Sequence, residues 1–211
     1  MHNGGNKLEV YILLTDTGTL FTKMIKMFTR DQLNHASISF SQTLDKTYSF
    51  GRKKPANPFI GGFVEENLNC KLFNRATCAV YKCQISSDDY EKMIEFVQQI
   101  EEEQQQYKYN FLGLFSVLLK KEWNRGNAYF CSEFVATTLK QGGISIKSKP
   151  ANLVKPKDII YSGQFQCIYE GQLRNYPSLN NIKTFVTKTK RESKFFHIDT
   201  LCIKLAKSIV S

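Results

Sequence analysis

The chain has 211 residues, 42% hydrophobic and 23% charged, with a net charge of +10. That length buries a full core in one domain, and that composition excludes a disordered chain. The charge is uneven: from Arg174 onward eight Lys and Arg stand against Glu192 and Asp199, which reads as a solvated basic surface or as an attraction for a polyanion or an anionic membrane.

Six cysteines, Cys70, Cys78, Cys83, Cys131, Cys167 and Cys202, contain no C-x-x-C pair, so zinc is not signalled. An even count leaves disulfides open. No secretory signal pattern opens the chain, and the longest later apolar run, residues 111–119, is too short to span a bilayer. The expectation is a cytoplasmic protein with reduced thiols and no cofactor.

Residues 7–14 predict a strand with Val10, Ile12 and Leu14 on one face. A turn at residues 15–18 leads into an amphipathic helix over 20–30. Residues 35–41 alternate: His35, Ser37, Ser39 and Ser41 on one face, Ala36, Ile38 and Phe40 on the other. A turn at 43–46 returns the chain as a strand over 47–51. This hairpin brings a small polar residue of the returning strand near His35, with a register uncertain by a residue or more.

Residues 52–62 hold two prolines and a Gly pair and predict a loop. Its Arg52, Lys53 and Lys54 read as a solvated rim or as contacts for an anionic substrate. Residues 77–84 predict a strand with Cys78, Val80 and Tyr81 inward. Residues 86–89 start a long helix, Asp88 and Glu91 forming a capping box. Tyr90, Met93, Ile94, Val97 and Ile100 mark its buried face, and residues 101–106 extend it into solvent. A second apolar helix is expected over 111–121, weakened by Gly113.

A helical pattern then starts at Cys131, with Phe134, Val135, Thr138 and Leu139 recurring until Gly142 and Gly143. After it, Ile144 and Ile146 suggest a short extended piece. Residues 158–161 and 165–169 predict short strands. Farther on, 182–187 is strand-like and 200–210 predicts a helix.

Cys131 thus sits at a helix N-terminus, where free N–H groups and the macrodipole favour a thiolate. A nucleophilic thiolate needs a base. Of three histidines, only His35 lies in a strongly patterned segment. His2 falls near the start of the chain, and His197 beside Phe195 and Phe196 suits local packing. Singly, Cys131 also fits a small buried core residue, and His35 a structural histidine. Jointly, a histidine opening a polar strand face and a cysteine opening a helix suit a Cys–His pair. Metal ligation has no supporting cluster, no Gly-rich loop cradles phosphate, and no nucleic-acid recognition motif accompanies the charge.

Asn34-His35-Ala36-Ser37-Ile38, followed by Tyr129-Phe130-Cys131-Ser132-Glu133-Phe134-Val135, resembles the circularly permuted branch of the NlpC-type papain-like cysteine hydrolases, which includes the YiiX-like proteins and the lecithin–retinol acyltransferase group. The His-before-Cys order is that of the permuted branch, and the resemblance covers about residues 8–165. It implies an α+β papain-like fold, a central antiparallel sheet packed against helices. Residues 1–170 would form the catalytic domain, and 171–211 a basic extension packed on it. It further implies Cys131 as nucleophile, His35 as general base and an orienting polar residue on the strand after His35, for which Ser49 is chosen. The expected activity is hydrolysis or acyl transfer at an amide of a peptide or cell-wall-type substrate. An acylated small molecule or a lipid ester at an anionic membrane is the second substrate class, and a non-catalytic binding domain retaining the fold is the rival. The lack of a Glu or His between His35 and Glu65 motivates that rival. The oxyanion hole is expected to include the Cys131 N–H.

Overall fold

The computed structural model describes residues 7–18, 31–54, 57–109, 128–146 and 149–179. The expectations for residues 20–30, 111–121, 182–187 and 200–210, the tail beyond residue 179, His2, His197 and Cys202 lie outside them. The described residues form a mixed α+β fold. In chain order they give β1 (Lys7–Asp16), β2 (His35–Ser39), β3 (Thr47–Lys54), β4 (Asn57–Glu65), β5 (Thr77–Ser86), α1 (Ser87–Glu102), β6 (Lys108–Tyr109), β7 (Ala128–Tyr129), α2 (Cys131–Gln141), α3 (Pro156–Ile160) and β8 (Gln166–Gln172), with three short 3-10 turns. Six strands make one antiparallel sheet in the order β4-β3-β2-β1-β5-β8. The pair β6-β7 is parallel and separate.

Alternation along β1 sends side chains to two cores. Val10, Ile12 and Leu14 join Ala36, Ile38, Phe50, Met93, Val97, Phe134 and Leu139 beneath α1 and α2. Tyr11 and Leu13 join Cys78, Val80, Phe73, Leu173, Tyr176 and Leu179 on the opposite face. Central strand β1 is therefore buried on both sides from Val10 to Thr15, as an unbroken apolar run in a covered sheet should be. Residues Leu173, Tyr176 and Leu179 supply part of the second cover, and β8 runs across residue 170. The start of the expected extension is thus continuous with the sheet.

Three local expectations are corrected. Residues 52–54 and 57–62, expected as loop, are strand: they belong to the paired arms of β3 and β4. Pro58 misled the reading: β4 is an edge strand, and edges tolerate a residue without an N–H. Residues 158–161 are not a strand, because Pro156 stands at the first position of α3 and Asp158 accepts the Lys155 N–H at 3.0 Å. The cap of α1 is Ser86 with Asp89, two residues earlier than Asp88 with Glu91; the Ser86 hydroxyl accepts the Asp89 N–H at 3.2 Å. Its apolar stripe survives the shift, with Met93, Val97 and Ile100 fully inward. Ile144 and Ile146 are buried without forming a strand.

Helices α1 and α2 approach closely at Gly142, which ends α2. A Cβ there would stand 2.5 Å from Met93 Sδ and 3.3 Å from the Asp89 carbonyl. Met93 is fully buried and has little room to yield. Gly142→Ala should therefore cost about 1–3 kcal/mol by overpacking, read as a lower urea midpoint at unchanged m. An unchanged midpoint would mean the helices part freely.

Among the described residues, no helix is long and apolar enough to cross a membrane.

Candidate active site

Strand pairing and one helix start converge on His35. Thr15 of β1 lies opposite His35, and the Asn34 N–H donates to the Thr15 carbonyl at 3.2 Å. The β2–β3 register pairs Ile38 with Tyr48, so Gly51 falls at the level of His35. A Cβ on Gly51 would sit 3.7 Å from His35 Cε1.

Cys131 is the first residue of α2, with Phe130 as its extended N-cap. The first turn is held from three directions. Glu133 accepts the Phe130 N–H at 3.3 Å, Ser132 donates to the Val154 carbonyl at 2.6 Å, and Phe134 N–H bonds the Phe130 carbonyl at 3.0 Å. Ahead of it, Tyr129 stacks on Tyr107 with centroids 5.9 Å apart. Burial pushes the Glu133 carboxyl up to about 7, against the Phe130 N–H.

The Cys131 thiol and the His35 imidazole lie near enough to influence each other's protonation through charge and hydrogen bonding. Cys131 is 8% exposed, and burial alone would raise its pKa. The His35 charge, the His35 hydrogen bond and the N–H groups of Ala36 and Ser132 reverse that and hold the thiol below its ordinary value. Burial also opposes charge on His35. Glu66 and the Cys131 thiolate overcome it and raise the imidazole to about 10. The two shifts favour one state, a thiolate beside an imidazolium.

The sequence reading missed Glu66. Its Oε1 lies 2.5 Å from His35 Nε2, and its side chain is only 6% exposed. Its Oε2 accepts the Ser37 hydroxyl at 2.9 Å. Glu66 follows β4 directly, and its N–H bonds the Thr47 carbonyl at 2.7 Å. The β3–β4 hairpin therefore carries it back alongside β2. The available signal was the β-branched and aromatic run Phe59-Ile60-Gly61-Gly62-Phe63-Val64, which reads as a strand once an edge proline is allowed.

Ser49 does reach the ring, but at 3.3 Å from Nε2. Its hydroxyl donates to the Ala36 carbonyl at 2.9 Å, leaving only a lone pair for the imidazole. Glu66 is the closer partner and carries the charge, so the orienting contact falls chiefly to Glu66 rather than Ser49. With Nε2 so engaged, Nδ1 is the ring nitrogen left for the sulfur. The polar face of β2 is not open to solvent either. Ser37 and Ser39 are fully buried, and Ser39 donates to the Lys46 carbonyl at 2.7 Å.

The other described cysteines differ. Cys78, Cys83, Cys70 and Cys167 are free thiols, and burial pushes the first two upward. Among the described residues, no group of three or more His, Cys, Asp or Glu is arranged to hold a metal ion. Comparisons with protein-family models, curated proteins and solved structures found no match to this chain.

Proposed function

We propose that this chain is a cysteine hydrolase or acyltransferase of the permuted papain-like type, with Cys131 as nucleophile, His35 as acid and base, and Glu66 as the group that orients His35. The observation that carries this reading is one imidazole held 2.5 Å from a buried carboxylate and interacting with a thiol at a helix start. A Cys–His pair with an orienting third group is the general design of an activated thiol.

The Cys131 thiolate attacks an amide or ester carbonyl carbon. The oxyanion is stabilised by the Cys131 N–H, which at the first helical position has no intrahelical acceptor. The imidazolium gives its proton to the leaving amine or alkoxide, and a thioester remains. His35 then takes a proton from water or another acceptor, which displaces the acyl group and restores the thiolate. A peptide or cell-wall-type amide is the first substrate class, and an acylated small molecule or lipid ester the second. The rival, a non-catalytic domain of the same fold, drew on the lack of an acid near His35; Glu66 removes that motive.

The test is alkylation of Cys131 by iodoacetamide, read by peptide mass spectrometry across pH. A depressed thiol stays ionised to lower pH, so the fall in Cys131 labelling should come at lower pH than for the other cysteines. An ordinary thiol near ~8.5 would be mostly protonated at pH 7. His35→Ala should return Cys131 to that behaviour and lower its labelling at pH 6, about tenfold for each unit by which the thiol pKa rises. Turnover should also fall as pH rises through about 10, where the raised imidazolium loses its proton, whereas labelling should not. Slow, ordinary labelling of Cys131 in the unaltered protein would defeat the catalytic reading.

A further inference from the structure

We infer that Ser37 is a positioning residue of this site, holding the Glu66 carboxylate so that its other oxygen meets His35. The inference rests on the reading of Cys131 and His35 given above.

His35 and Ser37 are two residues apart on β2 and so share one face of the sheet. A single carboxylate bridges them: Oε1 to His35 Nε2 at 2.5 Å and Oε2 to Ser37 Oγ at 2.9 Å. A carboxylate held at one oxygen swings about its last torsion, which has a broad energy minimum. Held at both oxygens, it has one orientation. The main chain of Glu66 is anchored separately, by its N–H on the Thr47 carbonyl. Backbone and carboxylate are thus pinned from two strands, β3 and β2.

The neighbouring hydroxyls have other work. Ser39 donates to the Lys46 carbonyl and Ser49 to the Ala36 carbonyl. Ser37 donates to Glu66, and it is fully buried. Water cannot readily replace a donor there, so loss of this hydroxyl leaves a buried carboxylate oxygen short of a partner. Ser49 completes the arrangement. Since its proton is spent on Ala36, its lone pair faces Nε2, and the ring N–H is shared between a strong charged acceptor and a weak neutral one.

The experiment is the pH profile of Cys131 alkylation in the full chain, for the wild type, Ser37→Ala, Ser37→Thr, Glu66→Gln and the Ser37→Ala/Glu66→Gln double variant. Ser37→Ala should move the acid limb upward, slowing labelling at pH 6 by about 3–10-fold. Ser37→Thr keeps the hydroxyl and should recover most of that rate. Glu66→Gln should move the limb farther, and Ser37→Ala should add nothing in its presence, because the hydroxyl acts through the carboxylate. An unmoved limb in Ser37→Ala overturns the inference, even if thermal stability falls, since a merely structural serine predicts that pattern. A shift that adds in full to Glu66→Gln also overturns it. An ordinary thiol profile in the wild type overturns the catalytic reading itself, and is distinguishable because it needs no variant.

Discussion

Glu66→Gln should slow the acylation of a reactive ester by about 10²–10⁴-fold, while Ser49→Ala should stay within about fivefold of the unaltered protein. The contrast follows from what each group can do for an imidazolium. Glu66 faces Nε2 at 2.5 Å with only 6% of its own side chain exposed, so its charge is screened less than at an open surface. Removing that charge lowers the proton affinity of His35 and, through it, raises the pKa of Cys131. Fewer molecules then hold the thiolate–imidazolium state at neutral pH. The amide of Gln also has two faces, and one of them offers an N–H to a ring nitrogen that must itself donate. Ser49 contributes a lone pair at 3.3 Å and no charge. Single-turnover acylation by a chromogenic ester, followed for each variant across pH, measures both. Equal losses for Glu66→Gln and Ser49→Ala would mean that the charge is irrelevant and that the serine shares the role equally.

Phe134→Ala should destabilise the fold by about 3–5 kcal/mol, the largest stability loss expected of any substitution near the site. Phe134 is fully buried, with ring centroids 5.3 Å from Phe50, 5.8 Å from Phe63 and 6.5 Å from Phe96. It thereby fastens the first turn of α2 to β3, β4 and α1 at once. Deleting the ring leaves a cavity bordered by rigid aromatics that cannot collapse to fill it. Urea unfolding at constant m measures the cost. Phe134→Leu should recover more than half of it. Because Phe134 lies one turn after Cys131, the same cavity should loosen the thiol's hold on His35 and reduce its fast labelling several-fold in the folded protein. A loss under about 1 kcal/mol would mean that α2 is anchored elsewhere, for instance by Ser132 on the Val154 carbonyl, and not by this aromatic cluster.

Much of the architecture was legible in the chain because it is local. Alternation in residues 7–14 and 35–41 and the stripe of Met93, Val97 and Ile100 depend on periods of 2 and 3.6 that any reader of the sequence can count. The start of α2 at Cys131 was legible for the same reason, and with it the placement of a thiol among free N–H groups. The pairing of that thiol with His35 was expected from the two patterned segments and from the resemblance, and in the structure each of the two groups shifts the protonation of the other. Glu66 was not legible. It stands 31 residues from His35, and its position depends on the β3–β4 register, on a proline made harmless by its place at the sheet edge, and on a backbone bond to Thr47. The burial of Ser37 and Ser39 was equally hidden, since a polar strand face looks solvated until loops and a returning carboxylate cover it. So the sequence alone determined which segments are strands and helices at the centre of the fold and which residue types could carry the chemistry. Only the tertiary structure decided which carboxylate meets the imidazole, because that contact is made by non-local pairing, which leaves no period in the chain.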